Sequence, residues 1–288
     1  MFYLIDKPLG ITSYDVIRRL KKILQTTRIW HAGTLDPLAT GLLLIATHNS
    51  TKLLPLLEWT EKRYIFTVNL TGITASLDLG TEIIPYDTSI MRARTQEELI
   101  GYLLSQTEQV PPRYSALHID GERAYDLARD GVDFEIEPRP IHVQDVEILE
   151  FSPPTTITIA LTISSGGYIR SFAPIIWGFF WLNNSGYVTA LRRIELKKNN
   201  TILTLKDSIE LDDFNPENTI PLTRLFPDIR EIAIWEDIYR ELLYGRIIPG
   251  IPEILPIIGQ KYFFNYIDFF KSLMEYQDDG FHIIRNDI

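Results

Sequence analysis

Apolar residues at Val16, Ile17, Leu20, Ile23 and Leu24 keep the spacing of a helix, with Arg18, Arg19, Lys21 and Lys22 on the other side and Thr12 or Ser13 placed to cap its start. A different rhythm follows. Leu42-Leu43-Leu44-Ile45-Ala46 is an unbroken apolar run, short enough for a buried strand or a turn of core helix. Tyr64 to Leu70 mixes β-branched and aromatic residues and stops at Thr71-Gly72, which predicts a strand with Tyr64 at its start. Residues 95–105 predict a helix that Val110-Pro111-Pro112 breaks, and Asp120-Gly121 predicts a hairpin-like pair. Strands are predicted from Ile141 to Phe151 and from Thr155 to Ser164. In the second, Ile157, Ile159, Leu161 and Ile163 face one way and Thr158 and Thr162 the other, until Gly166-Gly167 ends it beside Tyr168 and Arg170. Asp212 to Asn218 reads as a polar linker, dividing the chain into residues 1–211 and 219–288. Beyond it, Trp235 to Tyr244 predicts a helix closed by Gly245, followed by a few short strands.

Composition narrows the chemistry. The 288 residues contain no cysteine, which excludes disulfides, thiolate nucleophiles and cysteine-zinc sites. Met1 to Ile5 meets Asp6 and Lys7 before a signal-length apolar region develops, and no apolar stretch of about 18 residues exists, so a cytoplasmic setting without membrane contact is expected. A net charge of −10 opposes nucleic-acid binding at first sight, because Lys and Arg supply most sequence-independent affinity. The acidity is concentrated, however. Residues 207–288 hold 7 Lys and Arg against 16 Asp and Glu, whereas residues 1–206 hold 21 against 22. Within that balanced part, Arg18, Arg19, Lys21, Lys22 and Arg28 form one basic group and Arg192, Arg193, Lys197 and Lys198 another, either phosphate contacts or solvated faces.

Asp36 is the carboxylate to explain. It lies among the turn formers Gly33, Pro37 and Gly41, just before the apolar run, on a loop pinned by buried structure. Taken alone, an Asp-Pro pair reads equally as an Asx-turn. Its surroundings carry more. From Leu4 to Pro55 the chain shows Asp6-Lys7-Pro8, Gly10-Ile11-Thr12-Ser13 and the loop His31 to Gly41. In order come Lys62-Arg63-Tyr64, Gly72 to Gly80, Val110 to Leu117 running through Gly121 to Arg129, and Gly167-Tyr168-Ile169-Arg170-Ser171 with Leu191-Arg192-Arg193. Over about two hundred residues this series resembles the TruB family of tRNA pseudouridine synthases, and ordered long motifs are far more specific than one short pattern.

The resemblance implies an α+β pseudouridine synthase fold, a mixed and mostly antiparallel sheet flanked by helices, with a small C-terminal domain of the PUA type. It implies isomerisation of a tRNA uridine, position 55 of the T loop, by a monomer that uses neither metal nor cofactor. Asp36 matches the catalytic aspartate. Tyr64 matches the residue packed on the flipped base, Tyr168 one near Asp36, and Arg170 the arginine that orients the carboxylate and favours its charged form. His31 matches a contact to bases around the flipped nucleotide, and Leu191 an apolar wall of the base pocket. Each has a plainer reading as core, strand or surface residue. The tail matches the family weakly, and its acidity fits a structural appendage as well as a phosphate-gripping domain.

Other functions share these residues. A sugar hydrolase would need a second acid near Asp36, and Asp78 has no sequence feature marking it as one. A non-catalytic tRNA-binding or folding module is the rival of a different class, and a guide-RNA-dependent scaffold enzyme the rival within the family. Trp30, Trp177 and Trp181 stand where the family pattern has glycine, and an indole there overfills space meant for close backbone approach. Either the chain has diverged, or its gene uses a code in which UGA specifies glycine. Peptide masses of the natively expressed protein separate the two.

Overall fold

A computed structural model describes residues 1–288 apart from 87–91, 182–185, 253, 268–269 and 287. Strand β1 (Phe2–Lys7) leads into helix α1 (Ser13–Leu24), β2 (Ile29–Ala32), β3 (Ala39–Thr47) and β4 (Glu61–Asn69). Helix α2 (Gln96–Leu104), β5 (Val143–Ser152), β6 (Thr156–Ser164) and α3 (Phe172–Phe180) come next. β7 (Tyr187–Lys198), β8 (Thr201–Thr204) and β9 (Ile209–Glu210) complete a nine-stranded sheet, whose main path runs β5-β6-β4-β7-β3-β1-β9 while β8 pairs with β7 and β2 with β3. Two of its pairings, β1 with β9 and β7 with β3, are parallel, and the others are antiparallel. The mixed, mostly antiparallel α+β sheet is therefore as expected.

Local chemistry explains the main elements. The apolar run Leu42 to Ala46 is completely buried inside β3, so it is a strand rather than core helix. Thr12 caps α1 through a capping box in which Asp15 N–H donates to Thr12 Oγ1 at 3.0 Å and Thr12 N–H to Asp15 Oδ2 at 2.9 Å. Val16, Ile17 and Leu20 pack inward, while Ile23 remains 44% exposed near the helix end. Ile157, Ile159, Leu161 and Ile163 of β6 are buried in one cluster with Phe66 and Val68 of β4, which joins the sheet to Phe172, Ile176 and Phe180 of α3.

After residue 218, β10 (Arg230–Ala233), β11 (Lys261–Tyr266), β12 (Phe270–Gln277) and β13 (Gly280–Arg285) form a four-stranded sheet in that order, with α4 (Glu236–Leu243) between the first two strands. Leu225, Phe226, Phe263 and Leu273 share a buried cluster with Phe2, Leu4, Leu42 and Leu44, so this part is packed on the large sheet.

Trp177 and Trp181 both enter the main core, stacked at 4.2 Å with planes 19° apart, and Tyr86 meets Trp177 edge-on at 5.0 Å. The misfit expected at glycine-patterned positions shows as polarity rather than collision. Both bury an indole N–H that has no acceptor among the described residues, and an orphaned donor of this kind costs about 1–3 kcal/mol. Trp30, by contrast, is 54% exposed.

Candidate active site

The loop between β2 and β3 is held by the chain's first two motifs. Ser13, at the start of α1, donates its hydroxyl to Leu35 O at 3.0 Å and accepts from Leu35 N–H at 2.8 Å. Gly10 N–H donates to Pro37 O at 2.9 Å, and Asp36 O accepts from Ala39 N–H at 3.0 Å to close the turn. Lys7 is completely buried and donates its ammonium to Ile11 O at 2.7 Å, Pro8 O at 3.0 Å and Pro37 O at 3.5 Å. Asp36 is thus clamped from both sides without any contact to its own carboxylate. The clamp has an electrostatic cost. Burial holds the Lys7 amine down to about 8, against partial support from Asp36. Unfolding returns it to its ordinary 10.5, so between pH 8 and 10.5 the unfolded chain binds more protons and this group's contribution to stability rises with pH. Below pH 8 that contribution is smallest. Urea titrations of the parent and Lys7→Met across pH 7.5 to 10 should show a stability difference that grows in the parent's favour, and a constant difference would refute the assignment.

The carboxylate itself meets Arg170. From the turn after β6, Arg170 donates Nε–H to Asp36 Oδ2 at 2.9 Å and Nη2–H to Asp36 Oδ1 at 3.1 Å, a two-point contact that fixes the carboxylate plane. The same guanidinium donates to Ser76 O and to Tyr114 O, both at 2.9 Å. Ser171 and Tyr168, on either side, are tied to Val110 O at 2.7 Å and to Gln109 Oε1 at 2.7 Å. Motifs far apart in the chain therefore converge on one arginine, which is only 5% exposed.

Asp78 completes this centre; the sequence offered it only as a second acid for a sugar hydrolase, with no feature marking it as one. Its Oδ2 lies 3.6 Å from Arg170 Nε and its Oδ1 accepts from Gly80 N–H at 2.8 Å. The one available signal was its place inside the Gly72–Gly80 motif. Asp78→Asn should lower turnover roughly 10–100-fold with a smaller change in KM, since one charge-assisted contact to the arginine is lost. Turnover within twofold of the parent, in a protein with unchanged melting temperature, would show Asp78 to be dispensable.

A narrow cleft opens at this pair, walled by Leu38, Ala39, Val188 and Leu191 as well as the three charged residues. Leu191 takes its place because β7 runs parallel to β3, setting Leu191 opposite Ala39 and Arg193 opposite Gly41. Tyr168 is half-buried, and burial, with Asp36 nearby, pushes its phenol up from 10. Tyr64 is 6% exposed and belongs to the core cluster that contains Leu35 and Ala39, not to the cleft wall. His31 lies apart, stacked on Trp30 at 5.4 Å along a separate groove. Among the two basic groups, Arg18 pairs with Asp15, Arg19 with Asp212, Arg192 with Asp6 and Lys197 with Glu61, while Arg193 is buried on the carbonyls of Leu42 and Gly33. Much of the positive charge that the sequence offers to phosphates is already engaged within the protein.

Sequence and fold comparisons place this chain among the pseudouridine synthases. A family model described as TruB family pseudouridylate synthase, N-terminal domain, matches residues 21–169. The tRNA pseudouridine synthase B of Thermus thermophilus is 30% identical over an alignment covering 98% of this chain and 96% of that protein, and the Ehrlichia ruminantium protein of the same name is 35% identical over 85% and 83%. This chain belongs to the TruB family of pseudouridylate synthases. In fold it is similar to chains of a Cbf5–Nop10–Gar1 complex (TM-score 0.63, 19% identity, 100% of this chain and 84% of that one) and of an H/ACA RNP bound to a substrate RNA containing 2'-deoxyuridine (TM-score 0.59, 18%, 100% and 83%). No helix among the described residues is long and apolar enough to cross a membrane.

Proposed function

We propose that this protein converts a uridine of tRNA to pseudouridine, that the target is position 55 in the T loop, and that it works as a cytoplasmic monomer. The observation that carries the reading is the Asp36 carboxylate held in one plane by Arg170 at the mouth of a cleft. The reaction breaks the bond from the base N1 to the sugar C1′, turns the base, and joins C5 to the same C1′. The proton lost from C5 is matched by one gained at N1, so no redox partner or added atom is required. Asp36 supplies the basic or nucleophilic group, either attacking the sugar or base or removing a sugar proton. Arg170 is a positioning residue. Leu191 bounds the base apolarly, and Tyr168 and Tyr64 supply aromatic surface to a base drawn out of the stack, Tyr64 once the cleft widens. His31 contacts neighbouring bases. Residues 219–288 act as a small PUA-like domain joined through 212–218, structural in part because its core is shared with the large sheet.

Incubating purified protein with unmodified tRNA and mapping pseudouridine along the RNA tests the proposal. One modified uridine in the T loop is expected. Pseudouridine confined to another arm would overturn the target, and its complete absence would overturn the activity.

A further inference from the structure

Beside the Asp36 loop lies a second, larger groove of about 1010 Å³ that the isomerisation itself does not use. Gly33, Trp30, His31, Lys62 and Lys198 line it, with Glu58 as its one carboxylate among the described residues. The Lys62 side chain is half-buried, and its ammonium has no carboxylate or hydrogen-bond partner among the described residues. Its ammonium ends 3.7 Å from the point a Cβ on Gly33 would occupy, and Arg193 Nη1 ends 3.4 Å from the same point. Among the described residues, two adjacent cations therefore stand without a paired anion in a chain whose net charge is −10. Such an arrangement costs folding energy, and burial together with Arg193 holds the Lys62 amine down to about 8.

An external anion would relieve this. Gly33, in the left-handed region at φ +83°, presents no side chain, so a phosphate can approach the backbone there and meet Lys62 with the Arg193 charge beneath it. Next to this point, Trp30 offers an exposed indole braced against His31 with planes 8° apart, and burial, with Arg193 nearby, lowers the His31 pKa. A cation beside an aromatic face is what a nucleotide of single-stranded RNA needs, charge for its phosphate and a flat surface for its base.

We infer that this groove holds the RNA strand next to the target uridine, with one phosphodiester against Lys62 over Gly33 and a neighbouring base stacked on Trp30. The inference rests on the proposed function, and the test separates the two. Binding of transcribed tRNA is measured over a range of salt for the parent, Lys62→Gln, Lys62→Arg and Trp30→Gly. Lys62→Gln should raise Kd about tenfold and reduce the slope of log Kd against log salt by about one, Lys62→Arg should restore both, and Trp30→Gly should raise Kd about tenfold at an unchanged slope. Because the Lys62 ammonium carries no internal bond and its charge is unfavourable in the folded chain, the Gln variant should melt no lower than the parent. As a second measurement, bound tRNA should protect Lys62 of the parent from an amine-acylating reagent, read by peptide mass. Parent-like Kd and slope in Lys62→Gln, or no protection of Lys62, would overturn the groove assignment while leaving the isomerase reading intact. A parent that neither binds tRNA nor forms pseudouridine would overturn both.

Discussion

Asp36→Asn is expected to abolish pseudouridine formation, by at least about 10⁴-fold, while tRNA still binds within a few-fold of the parent. The amide keeps the shape of the side chain and can still accept from Arg170, but it can neither attack carbon nor take up a proton, and both roles proposed for Asp36 need one of these. The loop should stay in place, because its restraints come from Ser13, Gly10 and Lys7 and act on the backbone of Leu35 and Pro37. Single-turnover assays with a pseudouridine-specific readout, paired with filter binding, check both halves. Unchanged product formation would remove Asp36 from the chemistry. Bound tRNA without product from the parent itself would instead favour a non-catalytic folding module.

The second large effect concerns stability. Gly41 sits in the middle of the sheet, between Lys7 of β1 and Arg193 of β7, with φ at +102°. A Cβ there would lie 2.1 Å from Arg193 O and 2.8 Å from Arg193 N, both backbone atoms in the parallel ladder, so no side chain can move aside to admit it. Gly41→Ala must therefore separate β3 from β7 or abandon the left-handed geometry. Either outcome lies in the exceptional range of single substitutions, about 4–5 kcal/mol or more, against a typical total of about 5–15 kcal/mol. The melting temperature should fall by about 10 °C or more, or soluble protein should fail to accumulate. A variant melting within about 2 °C of the parent would mean that the close approach at Gly41 is not as described.

These two residues also show which parts of the site were readable in the chain. Asp36 and Arg170 stand in long motifs, and their pairing is what the family resemblance implies. Gly41 announces itself as a turn former, yet its position is a strand interior: the constraint comes from a parallel neighbour that no local pattern encodes. Asp78 escaped because a carboxylate that supports an arginine has no periodicity or spacing of its own. Lys7 reads as a surface charge in any composition count, and only the carbonyls of Pro8, Ile11 and Pro37 converging on its ammonium turn it into a clamp. Arg193 errs in the same direction, a candidate phosphate contact that is in fact 1% exposed. The helix α1 and the strand β6 were legible from periodicity and β4 from its β-branched and aromatic residues, whereas the Trp177 and Trp181 stack depends on how α3 lies against the sheet.

Arg170 is shared by Asp36 and Asp78, so the floor of the cleft carries more negative than positive charge before any substrate arrives. The neighbouring groove has the opposite balance. An RNA strand drawn across both is sorted by sign: its phosphates are repelled from the cleft and retained outside, and the uncharged base and sugar are the parts that can enter. Electrostatics alone would then orient the nucleotide, bringing the glycosidic bond rather than the backbone toward Asp36.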